Sequence, residues 1–327
     1  ISSLAATFCV SNETELQEKL TEAAGNGQDD TIQIVQGTYN GNFTYASYEA
    51  NTLTVEGGYT SGCTSRTIDP ENTVLDGGGK DYVLALVKQS GEADFWVENL
   101  TLQNGNASTE NNGGGLHIRT TGYVTLIKNV FSQNEAVQKG GGLYISAVFG
   151  KKFEGCTLMN NTFNDNTALQ EGGGAFFGPV LLEIEDGITL TKNTFSGNTA
   201  GGNGGGAHLT SSGVLTENVF TGNTGWNGGG ICVYDSVTLN NNTFSNNTAE
   251  DGYGGGANAG GGDGSTLTNN IFINNTATGD WNPSRGGGGF YSDTNCFIAG
   301  NTFALNSAYR IRLDCESEAN HNLNRLL

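Results

Sequence analysis

The chain has 327 residues, with 33 acidic against 14 basic side chains and a formal net charge of −19. Such an acidic chain is repelled by nucleic acid and by anionic membrane surfaces, so we expect neither as a partner. No apolar run approaches the roughly 18 residues of a membrane-spanning helix, so the chain is not expected to span a membrane. No signal-peptide pattern begins the sequence, and we expect a mature form of an exported protein.

Residues 1–30 carry the one convincing helix pattern. Asn12 and Glu15 have the spacing of a capping box, and Leu16 and Leu20 fall on one face of the helix that would follow. The sequence therefore predicts an N-terminal amphipathic helix. We expect it to cap the open end of the repetitive structure that follows.

The stretch 31–105 reads as a set of irregular strands and turns. Residues 31–35 and 53–59 alternate apolar with polar side chains and are rich in β-branched types. Residues 99–104 already resemble the regular unit, with Thr101 where a phenylalanine stands later. We interpret this stretch as the first coils of the same architecture.

From residue 129 to residue 306 the chain repeats the unit Asn-x-Phe-x-x-Asn, and a run of glycines follows within each repeat except the last. The seven phenylalanines are Phe131, Phe163, Phe195, Phe220, Phe244, Phe272 and Phe303. The asparagines three residues after them are Asn134, Asn166, Asn198, Asn223, Asn247, Asn275 and Asn306. Each phenylalanine also has an asparagine two residues before it. A fixed period of this size predicts stacked units.

The stacked unit is predicted to be a coil of a parallel β-helix, an all-β solenoid. Each repeat holds short alternating strands and no helical period, so about three strands per turn are expected. Equivalent residues of successive coils then lie about 4.8 Å apart. The phenylalanines should form an inward stack and the asparagines a ladder of amide hydrogen bonds. The glycines indicate positive backbone dihedrals or turns too tight for a Cβ.

We divide the chain into a strand-like segment and cap (1–30), a β-helix (31–313) and a C-terminal tail or cap (314–327). Six cysteines favour at least one disulfide. Cys9 is expected to pair with Cys63 at the capped end, and Cys296 with Cys315 at the other. The remaining two cysteines, at positions 156 and 232, should stay reduced and packed.

The repeat resembles that of the polymorphic outer membrane proteins of chlamydiae and of similar bacterial surface β-helices. Phe-x-x-Asn is matched in all seven units between residues 99 and 306. The second signature, Gly-Gly-Ala before an aliphatic residue or tyrosine, is matched loosely, because Phe176, His208 and Asn258 follow the alanines. The resemblance implies a right-handed parallel β-helix on or released from a cell surface, acting as an adhesin.

Two neighbouring coils are longer than the others at one corner, around residues 146–154 and 178–186. In a solenoid, insertions of this kind mark the working face. We expect an apolar contact surface for another subunit there, unless the two loops simply pack on each other. Its apolar residues are Val148, Phe149, Leu181, Leu182 and Ile184.

A second corner carries Trp226, Tyr253 and Trp281 on three successive coils. Large aromatics at solvent-facing turns suggest a column on which sugar rings or a partner could stack; the alternative is that they are local packing for a glycine-rich turn. The three histidines are scattered along the sequence, so no histidine metal site is expected, and nothing indicates a cofactor.

Three functions fit this chain. We favour a non-catalytic extracellular or cell-surface protein, acting as an adhesin or as a self-assembling filament subunit that binds copies of itself, a surface protein or a glycan. The strand-like residues 1–8 would pair with a neighbouring copy in a filament. The alternative is a polysaccharide-cleaving lyase or hydrolase. Its candidate acids are Asp235, Glu250, Asp251, Asp263 and Asp293, which have no repeated alignment.

Overall fold

The computed structural model describes residues 5–89, 92–108, 112–148, 151–178, 184–260, 264–279, 286–308 and 316–317. The first described elements are strand β1 (Ala6–Val10), helix α1 (Glu13–Ala23) and strands β2 (Asp30–Val35), β3 (Gly37–Asn40) and β4 (Phe43–Ser47). From β2 onward it winds as a coil, and all strand pairs within its four sheets are parallel. The fold is a parallel β-helix, as the repeats predicted.

Each regular coil passes through the four sheets in turn, and we number the sheets 1 to 4 in that order. Sheet 1 has twelve strands: Ala6–Val10, Asp30–Val35, Leu53–Tyr59, Phe95–Glu98, Tyr123–Ile127, Phe153–Met159, Ile184–Thr191, Gly213–Thr216, Val237–Asn240, Ser265–Thr268, Cys296–Ala299 and Glu316–Ser317. Sheet 2 has ten: Gly37–Asn40, Thr73–Asp76, Thr101–Gln103, Val130–Ser132, Thr162–Asn164, Thr194–Ser196, Val219–Thr221, Thr243–Ser245, Ile271–Ile273 and Thr302–Ala304.

Sheet 3 consists of two-residue strands: Asn106–Ala107, Glu135–Ala136, Thr167–Ala168, Thr199–Ala200, Thr224–Gly225, Thr248–Ala249, Thr276–Ala277 and Ser307–Ala308. Sheet 4 has nine strands: Phe43–Ser47, Leu84–Lys88, Leu116–Arg119, Leu143–Ser146, Ala175–Gly178, Ala207–Leu209, Ile231–Val233, Ala257–Ala259 and Phe290–Ser292. Sheet 3 raises the count to four strands per coil, where the sequence predicted about three.

The core contains a column of stacked rings from sheet 2, beside aliphatic side chains from the other strands. Phe131 and Phe163 lie 4.6 Å apart between ring centroids and within 7° of parallel, and the stack continues through all seven phenylalanines at 4.5–5.0 Å. The ring spacing matches the separation of about 4.8 Å between neighbouring strands, so the coil repeat itself sets the stacking distance.

Two asparagine ladders flank the ring column, as predicted. The Nδ2 of Asn166 donates to Oδ1 of Asn198 (2.9 Å) and to the carbonyl of Phe131 (3.0 Å), and its backbone N–H donates to the same Oδ1 (3.0 Å). The same three bonds recur along the ladder one coil at a time. These buried amides therefore supply hydrogen-bond partners to the backbone N–H and carbonyl groups at the turns on both sides of sheet 2.

Helix α1 closes the first coil, as the capping pattern predicted. Asn12 is the N-cap and accepts a hydrogen bond from the N–H of Glu15 (3.0 Å), while Glu15 reaches back to the N–H of Ser11 (2.8 Å). Leu16 and Leu20 are buried in the same core as the first strands. Among the described residues, no helix has the length and apolar character needed to cross a membrane.

Side chains of α1 also cover the exposed strand edges at this end. Gln17 accepts a hydrogen bond from the N–H of Thr44 (2.9 Å) and donates to its carbonyl (3.0 Å), as a neighbouring strand would. Glu13 accepts from the N–H of Asn40 in β3 (3.1 Å). Strand β1 pairs in parallel with β2. The described part of the strand-like N-terminal segment thus pairs with a strand of its own molecule.

The predicted disulfide between Cys9 and Cys63 is present and ties β1 to the second coil. Cys296 is disulfide-bonded, and Cys315, its predicted partner, lies outside the described residues. Cys156 and Cys232 are free and buried, as expected.

The two long coils place part of their extra length in sheet 1. The neighbouring strands Phe153–Met159 and Ile184–Thr191 have 7 and 8 residues, and they pair with a β-bulge between Phe153 and Gly155. Phe153 is buried in the core. The described parts of the two longer segments, 146–154 and 178–186, therefore pair with each other. Val148 is half-buried, whereas Phe149, Leu181 and Leu182 lie outside the described residues.

Candidate functional site: the outer face of sheet 4

The glycine run before each strand of sheet 4 lies where the backbone of the next coil leaves no room for a side chain. The first glycine adopts a positive φ, for example +67° at Gly172. A Cβ on the second, Gly173, would lie 2.4 Å from the carbonyl oxygen of Thr199 on the next coil, which no side chain allows. The glycines thus hold a tight corner that aligns the residues on either side of it into columns.

One of these columns is a stripe of aromatic rings on the outer face of sheet 4. The strand register aligns His117, Tyr144, Phe176 and His208 on successive coils. Neighbouring ring centroids lie 5.1, 5.5 and 5.4 Å apart along this column. Tyr82 extends the stripe towards the capped end, 6.4 Å from His117, and Tyr234 extends it the other way, 4.6 Å from His208.

A polar column runs beside the stripe, at the residue that precedes each glycine run. Lys139 forms an ion pair with Glu171 (2.7 Å) and lies 4.5 Å above the ring of Phe176. Burial alone would raise the pKa of Glu171, but the hydrogen bond from Lys139 and nearby positive charge hold it below its usual value. Asn203 donates to Glu171 (3.4 Å) and to the hydroxyl of Tyr234 (2.6 Å). The middle of the face is therefore closed by its own contacts.

His208 is fully buried within this closed part, and both of its ring nitrogens lack a hydrogen-bond partner. Burial lowers its pKa to about 4, although Glu171, whose Oε1 lies 3.7 Å from Nδ1, favours the charged form. Cys232 stands beside it in the register, and burial raises the pKa of that thiol to about 12. His208 is thus neutral at physiological pH and Cys232 is an unreactive thiol.

The face opens into a groove at the capped end, which we call the capped-end groove. Its volume is about 240 Å³. It is lined by Thr44, Ala46, Tyr82, Ala85, Val87, Gln89, His117 and Arg119. Small side chains of the first two coils form its floor, and the rings of Tyr82 and His117 lie along it. Arg119 follows His117 by two residues on the same strand, so it lies at the end of the groove opposite Tyr82.

The predicted aromatic corner lies next to this face but is not a single column. Trp226 is half-exposed and aligns with Gly202, whose carbonyl accepts from its N–H (2.6 Å). Tyr253 stands one residue nearer the glycines, in the polar column, and packs on Tyr291 at 5.0 Å. Trp281 lies outside the described residues.

The candidate catalytic acids are spread over two corners of the coil. Asp235 and Asp293 follow sheet 4 and belong to coils two apart, a separation of about 10 Å at the strand spacing. Glu250 and Asp251 follow sheet 3 instead, and Asp263 lies outside the described residues. Within the described chain, no three His, Cys, Asp or Glu side chains are placed to hold a metal ion.

Sequence reasoning missed the stripe although a signal was present. The second residue after each glycine run is His117, Tyr144, Phe176, His208, Cys232, Asn258 or Tyr291, and five of these seven are rings. The histidines at 117 and 208 are far apart in the sequence, but they share this column three coils apart. Arg119 and Gln89 carried no comparable signal, because they come from the irregular early coils.

Comparison with known proteins agrees with the fold. The family described as "Right handed beta helix region" matches residues 179–325. The chain is a right-handed parallel β-helix. No curated protein matches it in sequence. Among solved structures, a mannuronic acid specific polysaccharide family 6 lyase from human gut microbiota is similar at 11% identity and a TM-score of 0.42. That alignment covers 98% of this chain and 93% of the lyase.

Proposed function

We propose that this β-helix is a non-catalytic extracellular or cell-surface protein of the adhesin type, which binds a glycan on the outer face of sheet 4. The observation that carries the proposal is the aromatic stripe that ends in the capped-end groove. Aromatic rings beside a groove with a few polar groups are the usual surroundings of a bound sugar or other small ligand. The Trp226 and Tyr253 corner is a second surface available to the same partner.

Two further observations support this reading. The Cys9–Cys63 disulfide is typical of proteins in oxidising compartments outside the cytosol. Helix α1 covers the edges of β3 and β4, which disfavours growth of a filament through this end. A lateral contact therefore fits the molecule better than head-to-tail stacking, and the resemblance to chlamydial surface proteins agrees with an adhesive role.

A polysaccharide lyase is the second candidate, because the same groove brings together Tyr82, His117 and Arg119. A lyase needs a cation beside the sugar acid and a basic side chain to remove a proton. The residues that line the groove include no pair of carboxylates, which a hydrolase needs, so a hydrolase has no comparable support there.

The deciding experiment incubates the intact chain with an array of immobilised polysaccharides and then analyses both bound protein and released products. We expect retention of the chain on a subset of glycans and no change in their length. Release of oligosaccharides with unsaturated ends would instead establish the lyase. If none of the polysaccharides retains the chain, the partner belongs to another class of molecule and the glycan proposal fails.

A further inference from the structure

The capped-end groove contains a cation that no carboxylate among the described residues neutralises. The Nη2 of Arg119 donates to the Oε1 of Gln89 (3.1 Å), a neutral partner, and its Nε is buried without any partner. No described carboxylate forms an ion pair with Arg119. Arg66, by contrast, lies between Glu56 and Glu98 at 3.5 and 3.1 Å.

Gln89 fixes the direction of this guanidinium. It follows the second strand of sheet 4, one coil before Arg119, and accepts a hydrogen bond from one edge of the planar, forked guanidinium group. An arginine oriented in this way is suited to bind a carboxylate through two parallel hydrogen bonds. Because its rotamer is already restrained, less conformational entropy is lost when a ligand binds.

The rest of the groove suits a single sugar ring. Its volume of about 240 Å³ is below the roughly 300–1,000 Å³ of pockets for drug-sized ligands. Ala46 and Val87 give a low floor, and Tyr82 and His117 present rings beside it. Tyr82 and Thr44 share a hydroxyl hydrogen bond of 3.2 Å, which places two hydroxyl groups at the edge of the floor. The outward residues of one strand are about 7 Å apart, so a pyranose on the floor reaches Arg119.

We infer that the capped-end groove is a subsite for one carboxylated sugar residue, with Arg119 as the residue that recognises the carboxylate and Gln89 as its positioning residue. This inference rests on the proposed function, because it assumes that the ligand is a glycan. It adds the chemical class of that glycan and the side chain that selects it.

The test uses matched pairs of methyl glycosides, each a uronic acid and its neutral sugar in the gluco, galacto and manno series. Binding to the intact chain is measured by saturation-transfer NMR and calorimetry. At least one acidic member should bind roughly tenfold or more tightly than its neutral counterpart, as expected for a hydrogen bond to a charged group. Arg119→Gln should remove this preference.

Three variants separate the role of the guanidinium geometry of Arg119 from that of its positive charge. Gln89→Glu places a carboxylate beside Arg119 and should abolish the preference for acids as completely as Arg119→Gln does. Arg119→Lys keeps the charge but not the planar fork, and should weaken acid binding several-fold. Lys192→Gln removes one exposed positive charge elsewhere, where Lys192 pairs with Glu217, and should leave binding unchanged.

The outcomes distinguish the inference from the function on which it rests. Equal binding of acidic and neutral sugars, or an acid preference that survives Arg119→Gln, overturns the carboxylate subsite and leaves the adhesin proposal standing. If no sugar of either kind binds the intact chain while acidic peptides do, both proposals fail.

Discussion

The buried asparagines are the residues on which the fold depends most directly. Asn198 accepts two hydrogen bonds from Asn166 (3.0 and 2.9 Å) and donates to Asn223 and to the carbonyl of Phe163. Replacing it with alanine removes the acceptor of the Asn166 N–H and the donor to the carbonyl of Phe163, both on the preceding coil, while Asn223 keeps the hydrogen bond from the backbone N–H of residue 198. We expect Asn198→Ala to lower the free energy of unfolding by about 3 kcal/mol or more, since each orphaned group costs about 1–3 kcal/mol.

Urea denaturation of the variant and of Thr194→Ala measures this cost. Thr194 is half-buried in the same coil and points away from the ladder, so its loss should change stability by about 0.5 kcal/mol or less. Equal effects of the two substitutions would show that the ladder contributes little.

His208 makes a second residue-scale prediction, on the pH dependence of stability. Its pKa is about 4 in the folded chain and about 6.5 when unfolded. Between these values the unfolded chain binds the extra proton, so stability falls as pH drops from about 6.5 to 4. The total loss from this residue is about 3 kcal/mol. The titratable groups that face it are Glu171, Lys139, Cys232 and Tyr234.

Unfolding free energies of the intact chain and of His208→Phe at several pH values across this range isolate the effect. Phenylalanine fills the site between Phe176 and Tyr234 without an unpaired nitrogen, so the variant should be at least as stable at neutral pH and less sensitive to acid. Parallel pH profiles for the two proteins would contradict a buried neutral His208.

Phenylalanine and asparagine could be placed from the sequence because each repeats at one position of the coil, where stacking gives it one environment. Arg119, Gln89 and Tyr82 could not, because they come from different strands of irregular coils and meet only through the register of sheet 4. The burial of Lys88 could not be predicted either: its side chain is fully buried and donates to the hydroxyl of Tyr45 (2.7 Å). Burial lowers its pKa to about 8.

Among the elements, α1 has the clearest separate task. The side-chain amide of Gln17 occupies both backbone groups of Thr44 at the edge of β4. Gln17→Ala should keep the helix, since alanine favours it, but expose that edge to other chains. We expect more self-association, measured by light scattering against concentration. Lys19→Ala on the same helix, whose partner is Glu22, serves as the control and should stay as dispersed as the intact chain.

Prediction of the elements succeeded where a pattern extends over several residues. The α1 cap and the strands of sheets 1 and 2 have alternation or capping signals of that length. Sheet 3 was missed because its described strands are two residues long, and four of the eight consist of a threonine and an alanine. Such pairs have no period of their own and become strands only when the coils on both sides supply hydrogen-bond partners.

At the scale of the whole molecule, the β-helix turns sequence repeats into surfaces that run along its length. The inward positions carry the phenylalanine stack, whereas the outward positions of sheet 4 carry rings from Tyr82 to Tyr234. A cap at one end and an aromatic face along the side together favour lateral binding. The net charge of −19 is unfavourable to anionic ligands in general, so a local cation such as Arg119 is needed to hold an acidic ligand.

The most direct test of lateral binding compares two tyrosines of the same coil on different faces. Tyr144 belongs to the stripe on sheet 4, whereas Tyr123 lies on the outer face of sheet 1, and both are half-buried. Glycan binding by the intact chain is measured beside that of Tyr144→Ala and Tyr123→Ala, with folding checked by thermal denaturation. The account predicts that binding drops at least tenfold in Tyr144→Ala and is unchanged in Tyr123→Ala, by analogy with the aromatic residues that dominate binding surfaces. Equal binding by all three folded proteins would contradict it.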